Sequence, residues 1–263
     1  MRVTFLGTGS AMPTGHRFQT GLLVESGDHS LLVDCGSGVL HALERTETGY
    51  EDVDAVLLTH HHLDHVSDLD VLLKARWLAG ATELTVAGPP GTEDLVEGIF
   101  DLHEYMRDRL DLTVRDVEGS FSLAGFDVDS MAVRHSMQCF AYRFVGAEGG
   151  PPFVFSGDTE AFTELVEFAD GAAVFAHDCS FPDDVDVSNH PTPSQLGGAL
   201  AEADADLGRV YLTHLYPHTE GRHEEMLDSV GDHYDGDVRF AEDGLTVTLD
   251  EAVDEADRSH SSS

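Results

Sequence analysis

One run constrains this chain more than any other: Thr59-His60-His61-His62-Leu63-Asp64-His65, placed directly after the apolar run Ala55-Val56-Leu57-Leu58. The apolar run reads as a buried strand. The segment after it packs four potential ligands, His60, His62, Asp64 and His65, into six residues. Alternate residues on an extended segment point the same way, so His60 and His62 can share one cation. Asp64 and His65 fall where the chain turns into a helix, where they can face a second cation beside the first. Zinc accepts imidazole nitrogen and carboxylate oxygen, and an open coordination position leaves room for water. A solvated polar turn with chance histidines gives no reason for so dense a run at a strand end.

Other strand ends carry the same chemistry. His135 closes a strand expected over 129–134, Asp158 follows Phe153-Val154-Phe155-Ser156-Gly157, His214 follows Val210-Tyr211-Leu212-Thr213, and Asp34 follows Leu31-Leu32-Val33. Each alone is more often a cap or turn residue. Together they form a coherent set, because sites in α/β folds assemble where strand ends share one rim.

The remaining pattern describes the frame. Val3–Leu6, Leu22–Glu25 and Leu31–Val33 read as an early meander. Strands are also expected at Leu84–Ala87, Phe126–Val133, Phe140–Val145, Phe153–Phe155, Ala172–Phe175, Val210–Leu212 and Leu245–Leu249. Helices are expected over Leu69–Trp77, over Asp94–Tyr105, and through Leu196, Ala199, Leu200 and Ala203. The last has a start signal: Thr192 as N-cap, Pro193 next, and Gln195 to complete a capping box. Strands followed by alternating strands and helices indicate a layered α/β protein rich in sheet. With no internal linker, residues 1–250 read as one domain. The acidic, then Ser-rich stretch 251–263 reads as a disordered tail.

These motifs resemble the metallo-β-lactamase superfamily, and within it the ribonuclease Z-like branch. The matching pieces are Leu6-Gly7-Thr8-Gly9, Leu32-Val33-Asp34-Cys35-Gly36, Thr59 through His65, His135, Ser156-Gly157-Asp158-Thr159 and Leu212-Thr213-His214, spread over about residues 1–249. The resemblance implies a four-layer αββα sandwich and a binuclear zinc hydrolase. It implies two zinc ions per chain, with manganese as the alternative ion. His60, His62 and His135 would hold one ion; Asp64, His65 and His214 the other; Asp158 would bridge them. Asp34 would orient a ligand histidine, as acids beside zinc sites do. His190 would serve as the acid and Asp178 as the residue that orients it. The residues add a case of their own for His190: it precedes a helix N-terminus, where backbone N–H groups favour an anion such as phosphate. Two zinc ions close together lower the pKa of water from 15.7 toward about 7, which would supply a bridging hydroxide as nucleophile. Asp64 would handle the nucleophile's proton. His218 and Arg17 read as loop residues near the rim. A homodimer is implied by the resemblance alone.

The pattern departs from the tRNA-processing members. Those carry an extended tRNA-binding arm between the second and third motifs. Here only 70 residues separate His65 from His135, ordinary elements account for much of that span, and no Gly- and Lys-rich insert occurs. The last motif continues as Leu215-Tyr216-Pro217-His218, which is not the usual form. The expectation is therefore a compact phosphodiesterase for small esters, cyclic nucleotides or short RNA. A tRNA 3′-end endoribonuclease and a thioester or lactone hydrolase remain alternatives on the same metal site. A β-lactamase would more often have Cys where Asp158 stands.

Composition enters through charge. Fifty acidic residues face fourteen basic ones, for a formal net charge of −36, and Lys74 is the only lysine. So acidic a surface gives little attraction for phosphate backbones. The acids are spread along the chain, which favours adaptation to high salt over one docking patch. Cys35, Cys139 and Cys179 are odd in number and far apart, so they read as buried reduced thiols. With no signal-peptide pattern and no long apolar run, the expected location is the cytoplasm.

Overall fold

The computed structural model describes residues 1–185 and 187–249. The tail expected over 251–263 lies outside the described residues. The first half of the chain runs β1 (Arg2–Gly7), β2 (Gly21–Ser26), β3 (His29–Val33), α1 (Val39–Leu43), β4 (Ala55–Leu57), α2 (Leu63–Val66), α3 (Leu69–Ala79), β5 (Glu83–Gly88), α4 (Thr92–Leu102), a 3₁₀ turn at Glu104–Met106, and β6 (Asp111–Asp116). The second half runs β7 (Ser120–Leu123), β8 (Phe126–Ala132), β9 (Phe140–Gly146), β10 (Phe153–Phe155), α5 (Thr163–Phe168), β11 (Val174–Asp178), α6 (Pro193–Glu202), β12 (Arg209–Thr213), a 3₁₀ turn at Pro217–Thr219, α7 (His223–Gly231) and β13 (Val238–Phe240). A last strand, β14 (Thr246–Thr248), returns to pair with β1.

Two seven-stranded sheets result, ordered β14-β1-β2-β3-β4-β5-β6 and β13-β12-β11-β10-β9-β8-β7. Within each, the strands nearest the centre are buried on both faces, and their sequences are accordingly continuous apolar runs. Along β1 to β3, Val3, Phe5, Leu22, Val24, Leu31 and Val33 face the opposite sheet. Leu6, Leu23 and Leu32 point the other way, into a cluster completed by Val39, Leu69, Leu72 and Val96 from the helices. Across the gap, Phe140, Tyr142, Phe144, Phe153 and Phe155 fill the space between the sheets. Phe175, Val154 and Val210 pack outward against Leu165, Leu196, Leu200 and Met226 of α5 to α7. The result is the four-layer αββα sandwich implied by the sequence, in one domain. The capping box at Thr192 and Gln195 is formed, as its spacing predicts.

The strands the sequence does not announce, β6, β7 and β13, are all edge strands. Each is short or half-exposed and carries polar or charged residues, which is how proteins blunt sheet edges. Two expected elements end three residues from where their patterns place them. The helix over Asp94–Tyr105 ends at Leu102, and a 3₁₀ turn takes up Glu104–Met106. The strand expected at Ala172–Phe175 begins at Val174 and continues to Asp178. Ala172 and Ala173 instead belong to the turn before it, with Ala173 N–H bonded to Pro152 O. Among the described residues no helix is long and apolar enough to cross a membrane.

Candidate metal centre

The centre lies at the rim where β3, β4, β10, β11 and β12 end. In the first sheet Asp34 leaves β3 in the left-handed region, φ 60°, a conformation unusual outside glycine. Its buried carboxylate accepts from Thr59 N–H at 2.7 Å, Thr59 Oγ1–H at 2.8 Å and His65 Nδ1–H at 2.7 Å. Asp34 thus pins the start of the histidine run and the ring of its last member. Cys35 N–H bonds His65 O, which folds α2 back against the β3 end. Gly36 is required here, because a Cβ would stand 2.1 Å from Asp64 O.

The second sheet supplies the rest. β8 ends at Ala132, so His135 lies in the bend beyond it rather than directly at a strand end, and Asn189 O is 3.3 Å from its Nδ1. Asp158 follows β10 through Gly157, which has φ 59° and no room for a Cβ: Phe140 O would be 2.8 Å away. His214 ends β12, again left-handed with φ 59°. Left-handed residues cost backbone energy and persist where the surroundings hold them, commonly at functional sites.

These residues converge as two groups. His62 Nδ1 lies 3.0 Å from His60 Nε2 and 3.1 Å from His135 Nε2, with Asp158 Oδ2 at 3.7 and 4.0 Å from the latter two nitrogens. His214 Nε2 lies 3.2 Å from both Asp64 Oδ2 and Asp158 Oδ2, and His65 Nε2 lies 3.2 Å from Asp158 Oδ1. Within each group the donor atoms lie within 4.8 Å of one another, and Asp158 belongs to both. His65 Nε2 and Asp158 Oδ1 are buried with no hydrogen-bond partner. Buried polar atoms are rarely left so. An orphan nitrogen facing an orphan oxygen in the second group, beside a first group of three imidazole nitrogens and the same carboxylate, is what divalent cations satisfy.

The electrostatics follow from burial and crowding. Desolvation would raise the Asp158 carboxyl, but the imidazoles of His214, His65 and His60 outweigh it and hold it well below the usual range. Burial pushes His60 well down, toward the neutral imidazole a metal needs. Burial would also lower His65, yet Asp158 and Asp34 hold it well above its ordinary value. Asp64 is lowered, since His214 and His65 overcome its desolvation.

Beside the second group stand His190 and Asp178. His190 Nδ1 bonds Asp178 Oδ2 at 2.6 Å, and the His190 and His214 rings stack with centroids 5.2 Å apart. Burial opposes its charge, but Asp178 lifts the His190 pKa to about 9. A cleft of about 330 Å³ opens over the centre, with His62, Asp64, His135 and Asp158 in its lining and Leu63, His190 and Tyr216 around it. His61 turns away, to Thr92 Oγ1 at 2.9 Å. Arg17 ties its loop to the segment after β13, bonding Thr8 Oγ1 and Ala241 O, and His218 packs on Phe181, which stacks on Tyr216.

Sequence reasoning missed Ser180 and the hydroxyl of Thr59. Ser180 Oγ–H donates to Asp178 Oδ1 at 2.5 Å and lies 2.9 Å from His214 Nδ1. Thr59 Oγ1 lies 3.0 Å from His60 Nδ1. Neither hydroxyl carries a periodic signal; only adjacency to Asp178 and His60 hinted at them.

Comparison with known proteins gives the family. The family described as "Anti-Pycsar protein Apyc1" matches residues 1–227. A ribonuclease Z of Mycolicibacterium paratuberculosis is 30% identical over 277 aligned positions, covering 95% of this chain and 99% of that one. The metallo-β-lactamase fold protein YhfI of Bacillus subtilis superposes with a TM-score of 0.80 at 25% identity, covering 94% and 98% of the two chains. The short form of human tRNase Z, at 22% identity, shares the fold with a TM-score of 0.75 over 95% and 99%. This chain is a metallo-β-lactamase-fold hydrolase that belongs to the anti-Pycsar protein Apyc1 family and is related to the ribonucleases Z.

Proposed function

We propose that this chain is a binuclear, zinc-dependent phosphodiesterase acting on small phosphodiesters, cyclic nucleotides and short RNA among them. The observation that carries the reading is the conjunction of two donor groups sharing Asp158 with an imidazole–carboxylate pair, His190 and Asp178, on the same cleft. His60, His62 and His135 would hold one ion and Asp64, His65 and His214 the other, with Asp158 common to both. Bound there, the ions supply Lewis acidity toward phosphoryl oxygens and a water acidic enough to attack at neutral pH.

The chain's own residues do the remainder. Asp34 holds the His65 ring by its Nδ1, which leaves Nε2 to face Asp158. Asp64 takes the proton of the attacking water. Asp178 occupies His190 Nδ1, so the His190 proton available to the substrate is the one on Nε2. That proton goes to the leaving oxygen, help typically worth about 10²–10⁴-fold. The cleft suits a small substrate: about 330 Å³ is at the lower end for ligand pockets. The elements between His65 and His135 are α3 to β8, all within the sandwich, which agrees with a compact enzyme over one gripping folded tRNA.

A substrate panel on zinc-loaded protein in molar salt tests the assignment: a bis-aryl phosphate, cyclic nucleotides, precursor tRNA, a thioester and a lactone. Turnover of the last two alone would overturn it. Turnover of precursor tRNA at its 3′ end would move the assignment to the tRNA-processing reading. Three further parts of the proposal are a cytoplasmic setting, a salt-adapted surface and a homodimer. The three cysteines, buried and free, agree with a reducing compartment. Val71 and Leu78, exposed by 47 and 69% and seven residues apart on α3, give that helix an apolar face that a second copy would cover. Sedimentation in molar salt at micromolar protein reads the dimer directly.

A further inference from the structure

We propose that the hydroxyls of Thr59 and Ser180 are positioning residues, one for each metal group, that fix the tautomer of His60 and of His214. The inference rests on the proposed metal centre. The two halves of the sandwich meet the same requirement in the same way. In each, a buried carboxylate at a strand end binds one imidazole directly: Asp34 binds His65 Nδ1 at 2.7 Å, and Asp178 binds His190 Nδ1 at 2.6 Å. In each, the same carboxylate also accepts a hydroxyl proton: Thr59 Oγ1–H to Asp34 Oδ2 at 2.8 Å, and Ser180 Oγ–H to Asp178 Oδ1 at 2.5 Å.

A hydroxyl has one proton: that of Thr59 goes to Asp34 Oδ2, and that of Ser180 to Asp178 Oδ1 at 2.5 Å or to His214 O at 3.0 Å, groups that can only accept. Toward a second neighbour it can only accept. That neighbour is His60 Nδ1, 3.0 Å from Thr59 Oγ1, and His214 Nδ1, 2.9 Å from Ser180 Oγ. Both imidazoles are thereby set to carry their proton on Nδ1, His60 with Cys139 Sγ as a second, weaker neighbour at 3.6 Å. Their Nε2 lone pairs are then bare where they face the two donor groups, His60 in the first and His214 in the second. Thr59 and Ser180 are fully buried, so neither meets substrate. Each stands in for the carboxylate that usually orients a metal-binding histidine, and relays the charge of Asp34 or Asp178 through one hydroxyl.

Chelator-stripped protein titrated with Zn²⁺ against a chromophoric competitor tests this without reference to turnover. The wild type should take up two ions. Thr59→Val should weaken one ion about 10–100-fold and Ser180→Ala the other by a similar factor, the usual effect of removing a histidine-orienting partner. Thr59→Ser and Ser180→Thr, which keep the hydroxyl, should restore wild-type uptake. Undiminished affinity in both truncations would overturn the inference alone, as would failure of the hydroxyl-keeping variants to rescue. A wild type that binds no divalent ion would overturn the proposed metal centre and this inference with it. One measurement needs no variant and covers the case in which a truncation does not fold. Long-range ¹H–¹⁵N correlation on the zinc-loaded wild type should show His60 and His214 protonated at Nδ1; protonation at Nε2 in either would overturn the assignment for that histidine.

Discussion

Asp34→Asn separates the role of Asp34 in metal binding from its role in folding. The carboxylate accepts three hydrogen bonds, from Thr59 N–H, Thr59 Oγ1–H and His65 Nδ1–H. Asp34→Ala would strand two buried donors, Thr59 N–H and His65 Nδ1–H, at about 1–3 kcal/mol each, or roughly 2–6 kcal/mol together. Against a typical domain stability of about 5–15 kcal/mol, that is severe. Asparagine keeps the shape. Its carbonyl oxygen can still accept from Thr59 N–H, and its amide N–H can donate to Thr59 Oγ1 and to His65 Nδ1. The second of these requires His65 to move its proton to Nε2, the nitrogen that faces Asp158. The variant should therefore fold with little loss but bind zinc at the His65 group about 10–100-fold more weakly, the usual cost of losing such a partner, and the His60 group should weaken with it, because the Thr59 hydroxyl proton released by the carboxylate turns to His60 Nδ1. That corresponds to about 1.4–2.8 kcal/mol. Thermal melting of the metal-free protein and competition titration with zinc read the two quantities separately. Wild-type zinc affinity in a well-folded Asp34→Asn protein would refute the reasoning.

Other perturbations reach different parts of the molecule. His190→Ala should lose turnover by about 10²–10⁴-fold while elemental analysis still finds both ions; full activity would remove His190 from the mechanism. Gly36→Ala places a Cβ 2.1 Å from Asp64 O and should displace α2, so zinc content and melting temperature should fall together. With a net charge of −36, the melting temperature should rise steeply from low to molar potassium chloride, and a flat profile would contradict salt adaptation. Asp237 is partly buried, which favours its neutral form, but bonds from Arg239 and Arg209 outweigh this and lower its pKa. Its contribution is therefore present above the unfolded carboxyl value near ~3.9 and lost as pH falls through the lower folded value. The melting gap between wild type and Asp237→Asn should shrink in that range, and a gap independent of pH would argue against the charged pair.

The sequence pattern alone determined a layered α/β protein rich in sheet with metal-competent residues at its strand ends, and the motifs shared with the metallo-β-lactamase superfamily made that a two-sheet sandwich. Double-sided burial writes β1 to β5 and β9 to β12 as apolar runs, β8 shows the alternation of a strand with one buried face, and metal-competent residues placed just past such strands are visible without coordinates. The edge strands β6, β7 and β13 escaped because a blunted edge looks unlike a strand, whereas β14, also at an edge, is legible in Leu245–Leu249. Only the tertiary structure decided how the gathered residues relate. Sequence spacing could not show that Asp158 Oδ1 faces His65 Nε2 across the boundary between the sheets, or that both atoms lack any other partner. It could not show that His135 reaches the site from a bend, or that Asp34 and His214 adopt left-handed backbone to aim their side chains. Ser180 and the Thr59 hydroxyl were the least legible. A hydroxyl's role depends on where its single proton goes, and that is set by the carboxylate and the imidazole the fold brings within 3.0 Å of it.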